Sequence, residues 1–134
     1  MAKLTDIEGI GEVYMGKLQA RGITSIEQFL EAGSTKKGRD TLATECGISP
    51  DLILKWLNRA DLSRIKGIST QYSDLLEVAG VDTVPELAQR RPDNLHAKMK
   101  EVNDQKHHVR QLPTESQVAD WVAQAKQLPR VIQY

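Results

Sequence analysis

The residues best placed to do chemistry in this chain are Gly9-Ile10-Gly11 and their partial copy Gly67-Ile68-Ser69. Glycine reaches backbone angles that strain other residues, and its missing side chain lets a ligand approach the main chain. Ile7 and Ile65 each stand two positions before the first glycine, and a helical period follows each stretch. That pattern describes a tight turn between two helices. The N-terminus of the second helix then offers backbone N–H groups suited to an anion, usually a phosphate. The surroundings separate the two copies. Asp6, Glu8 and Glu12 would repel a phosphate at the first, whereas Arg64 and Lys66 precede Gly67 at the second and no acid follows until Asp74. The expected contacts are therefore Arg64, Lys66, Gly67, Ile68 and Ser69, with Gly9, Ile10 and Gly11 as the lesser set. Ser69, standing where the first copy has glycine, counts against the second.

No other constellation carries chemistry. His107 and His108 are adjacent and would point about 100° apart on a helix, which does not suit one metal. His96 lies eleven residues before His107, and one cysteine, Cys46, is too few for a zinc cluster. Cys46 precedes the helix-ending Gly47 and reads as a small buried filler. Neither glycine turn has the third glycine of a dinucleotide fingerprint or the Gly-Lys-Ser/Thr of a phosphate loop. The sequence thus predicts no catalytic residue, no cofactor and no metal, and the chain is not expected to be an enzyme.

The elements that must position the two turns recur with them. Leu4, Ile7, Gly9 and Tyr14 find Leu62, Ile65, Gly67 and Tyr72 at a constant separation of 58, and Leu18, Gly22, Ile23 and Phe29 find Leu76, Gly80, Val81 and Leu87. Such periodicity is a signature of duplication. In each copy a short helix leads into the turn. Helices are then expected from about Gly11 to Ala20 and, with Thr24 and Glu27 as a capping box, onward past Phe29. A helix from about Thr35 to Glu45 closes at Gly47. Ser49-Pro50-Asp51 starts another that ends near Arg59, after which Asp61 caps the lead into the second turn. The second copy repeats the order through Thr70–Val78, a helix started by Thr83-Val84-Pro85-Glu86 with Leu87 inside and stopped by Arg90-Arg91-Pro92, and a helix bearing Leu95 and Met99. Trp121 stands 65 beyond Trp56, so seven extra residues fall between about Asn103 and Pro113. A last helix runs from Thr114 to about Leu128, with Val118, Trp121, Val122 and Ala125 inward. Trp56 and Trp121 read as core, with exposed base-stacking platforms as the alternative.

These residues resemble a known motif. Apolar-x-x-Ile-x-Gly-Ile-Gly ahead of a helix is similar to the helix-hairpin-helix, which in many DNA repair and recombination proteins grips the sugar-phosphate backbone. Gly9, Ile10 and Gly11 match its hairpin fully, and Gly67 and Ile68 match with Ser69 departing. The run Trp56–Ile68, with Ala79-Gly80-Val81-Asp82-Thr83-Val84, further resembles a bacterial domain-of-unknown-function family, number 4332, assembled from such motifs. That likeness extends over nearly the whole chain and implies the fold without an activity.

Composition bounds the rest. With 134 residues, 40% hydrophobic and 27% charged, the chain is sized and composed as a globular domain. Aromatics at 4% require an aliphatic core. No apolar run approaches the ~20 residues of a membrane span, and no signal-peptide core follows Met1, so the expected location is the cytoplasm and no membrane partner is expected. Charge argues against a strong nucleic-acid footprint: 18 basic groups balance 18 acidic ones. Residues 1–62 carry 8 and 9, and residues 63–134 carry 10 and 9. Lys36, Lys37 and Arg39 form the densest basic cluster of the first half and read either as a solvated helix start or as a second backbone contact.

The expected fold is all-α: two tandem helix-hairpin-helix repeats of about five helices each, over residues 1–61 and 62–134, packed as one compact helical domain. The expected function is sequence-independent, non-catalytic DNA binding through the hairpin N–H groups and flanking basic residues. The alternative is a protein–protein interaction or scaffolding domain whose hairpins serve helix packing alone.

Overall fold

A computed structural model describes residue 7 and residues 10–68, 70–107, 109–129 and 131–133. The described chain is all helical. Eight helices follow in order: α1 Glu12–Gln19, α2 Ile26–Ala32, α3 Lys36–Cys46, α4 Pro50–Leu62, α5 Thr70–Val78, α6 Val84–Ala88, α7 Pro92–Gln105 and α8 Glu115–Gln127. They fall into two compact units, Met1–Asp61 with Arg130–Tyr134, and Leu62–Pro129. The chain thus enters the second unit after α4 and returns to the first after α8.

Local chemistry sets the helix ends. Three helices stop on a left-handed glycine followed by a buried aliphatic residue whose N–H reaches back five positions: Ile23 to Leu18, Ile48 to Ala43 and Val81 to Leu76, at 2.8–3.1 Å. Gly22, Gly47 and Gly80 have φ of 79°, 64° and 97°, a region that glycine enters without Cβ strain. The beginnings use hydroxyl caps. Ser25, Thr35, Thr83 and Thr114 each accept a hydrogen bond from the N–H three residues on. Thr114 and Gln117 form a reciprocal capping box, which makes the start of α8 the best defined.

The first unit is built around Ile7, Ile10, Leu18, Phe29, Ile53, Trp56 and Leu57, and the second around Ile65, Ile68, Leu75, Leu76, Leu87, Met99 and Trp121. The ring of Tyr14 meets Trp56 at a centroid distance of 5.0 Å, and Tyr72 meets Trp121 at 5.4 Å. Both tryptophans are buried, which removes the base-stacking alternative and leaves them as core.

Some expectations are corrected. The cap of α2 is Ser25, one residue later than Thr24, because Ser25 Oγ takes the Gln28 N–H while the Gln28 side chain accepts from both the N–H and the hydroxyl of Thr24. The α4 helix does not stop at Arg59. It continues to Leu62, and Asp61 lies buried near its end. The second unit shows four helices in place of five, since the lead into its turn is the end of α4 followed by one hydrogen-bonded turn, Ile65 N–H to Leu62 C=O at 3.1 Å, while the lead helix expected before Gly9 in the first unit lies outside the described residues.

The residues after α8 form part of the first unit. Ile132 is 1% exposed within its core, and the Gln133 N–H donates to the Ser34 carbonyl at 2.7 Å. Arg39, itself buried, fastens this segment: its guanidinium donates to the Gly33 carbonyl at 2.9 Å and to the Gln133 carbonyl at 2.8 Å. The second-contact reading of Lys36, Lys37 and Arg39 loses its arginine, which faces inward while the two lysines are exposed.

Candidate nucleic-acid interface

The second turn is closed by a hydrogen bond from the Ile68 N–H to the Ile65 carbonyl at 3.2 Å. Ile65 and Ile68 are buried anchors, and Gly67 takes φ +99° between them, so Lys66 is left on the exposed crest. The crest is held from below by Gln124 of α8. Its side-chain oxygen accepts from the Lys66 N–H at 2.9 Å and its amide donates to the Lys66 carbonyl at 3.1 Å. The main-chain N–H of Lys66 is therefore engaged within the fold, and what Lys66 presents outward is its ammonium group.

Gly67 is required by packing as well as by φ. A Cβ on it would stand 2.8 Å from the Trp121 indole nitrogen, closer than real Cβ atoms come to another heavy atom. Its glycine is thus explained without any ligand. Gly11 differs. Its φ of −88° is open to any residue, a Cβ there would meet nothing within 4 Å, and as the N-cap of α1 it supplies no side-chain hydrogen bond. The first turn has the same closing bond as the second, Ile10 N–H to Ile7 carbonyl at 3.2 Å, with both isoleucines buried. Gly9 and Ser69 lie outside the described residues.

Four basic groups of the second unit, Arg64, Arg90, Arg91 and Lys98, have local partners. Arg64 donates to the Pro129 carbonyl at 3.3 Å, joining the start of this unit to its end. Arg90 donates to the Gly80 carbonyl at 3.1 Å and lies 4.0 Å from Glu86. Arg91 pairs with Asp93 and Lys98 with Glu101, all at exposed positions where such pairs contribute little stability. Burial raises the Glu86 carboxyl above its ordinary range, a hydrogen bond and the charge of Asp82 add to this, and Arg90 opposes it.

Cys46 is a buried free thiol whose sulfur lies 3.6 Å from the Lys17 carbonyl it donates to. Burial pushes it above the usual thiol range; Arg21 pulls it down, Glu45 adds to the rise, and Lys17 again lowers it. Among the described residues, no group of three or more His, Cys, Asp or Glu side chains could hold a metal, and no helix is long and apolar enough to cross a membrane. Sequence reasoning missed the clip from Gln124. A polar residue one turn beyond an inward Trp121 signals only a surface position, and nothing in its type reveals a backbone partner.

Comparison with curated proteins and with solved structures finds no match. A family model, described as a domain of unknown function (DUF4332), matches residues 8–128. The match takes in both tight turns and all eight helices, so this chain belongs to the DUF4332 family.

Proposed function

We propose that the chain is a non-catalytic module, acting in the cytoplasm, that holds the DNA backbone without reading sequence through two helix-hairpin-helix turns. One observation carries the reading: the glycine turn Ile65–Ile68 raises Lys66 into solvent directly ahead of α5, with Arg64 nearby and no acid until Asp74. A lysine ammonium and helix-terminal N–H groups contact phosphates and not base edges, so binding is sequence-independent. Gly11 adds support at the first turn, where packing asks for no glycine and close approach of a ligand backbone gives it a use. Glu12 beside it makes this the weaker contact.

The alternative, a protein-binding scaffold, draws on a different observation. The packing of Trp121 against Gly67 accounts for the second glycine by itself, and Val13 on α1 is 72% exposed. Fluorescence anisotropy with labelled single-stranded, duplex and branched DNA across a salt series separates the two. The DNA reading expects binding that weakens with salt and is lost in Lys66→Glu, with that variant still helical by circular dichroism. Absence of binding to every form at low salt would overturn it and turn the search to a protein partner.

A further inference from the structure

The segment from Lys106 to Thr114 overlaps the stretch from about Asn103 to Pro113 to which the spacing assigns the extra residues, and its described part is fastened at three points. The Asn103 side chain accepts from the Val109 N–H at 3.1 Å and donates to the Val109 carbonyl at 3.3 Å, while the Val109 side chain is buried. The Tyr72 hydroxyl donates to the Gln111 carbonyl at 3.1 Å. His96 Nε2 lies 2.9 Å from the Pro113 carbonyl, an oxygen that only accepts, so that nitrogen carries the proton. Loops that present side chains for binding work best when a rigid scaffold fixes them. This one is held to both α5 and α7.

Between the fastened loop and the first turn of α5 lies a cleft of about 610 Å³, lined by Gln71, Tyr72, His107, Val109, Arg110 and Gln111. That volume is within the range of small-molecule sites. Its lining is chemically one-sided: among the described residues that line it are an arginine, a histidine and two glutamines, and no aspartate or glutamate. In a chain whose acids equal its bases, an acid-free lining marks the cleft as cationic. Arginine offers parallel N–H donors whose spacing matches the oxygens of a phosphate. The cleft is also larger than a bare oxyanion requires, and Tyr72 and Val109 give it an apolar wall.

We infer that this cleft binds a phosphate ester, Arg110 holding the phosphate oxygens, His107 adding a second donor and the Tyr72–Val109 wall taking the esterified group. The site uses neither glycine turn, so it stands whether or not the turns hold DNA. The phosphate can belong to a free nucleotide or to a nucleic-acid strand, and one experiment distinguishes them. Adenosine monophosphate, inorganic phosphate and a short oligothymidylate are each titrated into the full chain while backbone amide shifts are followed by NMR. The expected result is movement of the Gln71, Tyr72, Arg110 and Gln111 amides, with affinity falling about tenfold in Arg110→Ala and unchanged in Lys126→Ala, an exposed cation on α8 with no part in either site. Tighter binding of the mononucleotide identifies a free ester, and tighter binding of the oligonucleotide a strand. The inference is overturned if no probe moves those amides, or if Arg110→Ala binds as wild type does. Arg110 is exposed, so its removal leaves the core intact.

Discussion

The side-chain amide of Gln124 closes on both backbone polar groups of Lys66, accepting from one at 2.9 Å and donating to the other at 3.1 Å. The exposed turn is thereby tied to α8, the helix that also brings Trp121 beneath Gly67. Removing the amide in Gln124→Ala forfeits three hydrogen bonds, two with Lys66 and one to the Asp120 carboxylate, at a partly exposed site where water replaces much of what is lost. A destabilisation of about 1 kcal/mol is expected, read as a lower urea midpoint at unchanged slope. An unchanged midpoint would mean that the clip is no more than a surface contact.

Gly67 and Gly11 should respond in opposite ways. Gly67→Ala combines a positive φ with a Cβ against the Trp121 indole, and a loss of about 2 kcal/mol or more is expected from strain of this kind. Gly11→Ser places a capping hydroxyl in open space at ordinary backbone angles and should change stability by only a few tenths of a kcal/mol, upward. Thermal melts of the two variants beside wild type test both statements. Equal destabilisation would contradict the distinction drawn between the turns.

Gly16 lies inside α1, exposed, with nothing within 4 Å of where a Cβ would stand. Gly16→Ala should therefore stabilise the first unit by about 0.5–1 kcal/mol, through backbone entropy alone. A melting temperature that stays level or falls would show that the position is occupied by something the helix itself does not supply.

Ile132 and Arg39 should matter to the first unit above all. Ile132→Ala empties a buried site and is expected to cost about 2–4 kcal/mol. Each unit contains one tryptophan, so Trp121→Phe and Trp56→Phe backgrounds report the first and second unit separately. The loss should be larger in the transition reported by Trp56. Cys46 gives an independent readout, because a buried thiol reacts only on opening, and its alkylation should accelerate in Ile132→Ala. Equal shifts at both tryptophans with unchanged alkylation would contradict this account.

Glu86 sets a pH dependence whose sign is fixed by its raised folded pKa. Protonation favours the folded state, so its contribution is complete below the ordinary value of 4.5 and is lost as pH rises through the elevated one. Glu86→Gln should be stabilised relative to wild type at neutral pH and lose that advantage in acid. The effect is small, since this side chain is 42% exposed and well screened. Urea midpoints that keep a constant gap from acid to neutral pH would exclude it.

Helix existence was legible in the sequence because the periodic apolar faces and the Thr83 and Thr114 caps agree locally. The inward set of α8, Val118, Trp121, Val122 and Ala125, is the one its spacing predicts. The cap of α2 was misplaced by one residue because Thr24 and Ser25 are both capping types, and only the reach of Gln28 decides between them. The end of α4 was misread because Arg59, Asn58 and Asp61 look like a polar stop, yet Asn58 and Asp61 are buried. Least legible were the uses of arginine. Arg39 reads as a member of an exposed basic cluster, whereas it is buried and binds the Gln133 carbonyl. A charge count cannot see a main-chain carbonyl ninety-odd residues away.

The return of Ile132 to the core of the first unit has a bearing on synthesis. Its partners in that core begin at Ile7, so the ribosome must deliver every residue of the second unit before the first can be completed. N-terminal domains ordinarily fold as soon as they emerge. Here the earliest-made helices wait with an open apolar socket, and a nascent chain interrupted anywhere after Leu62 would expose it.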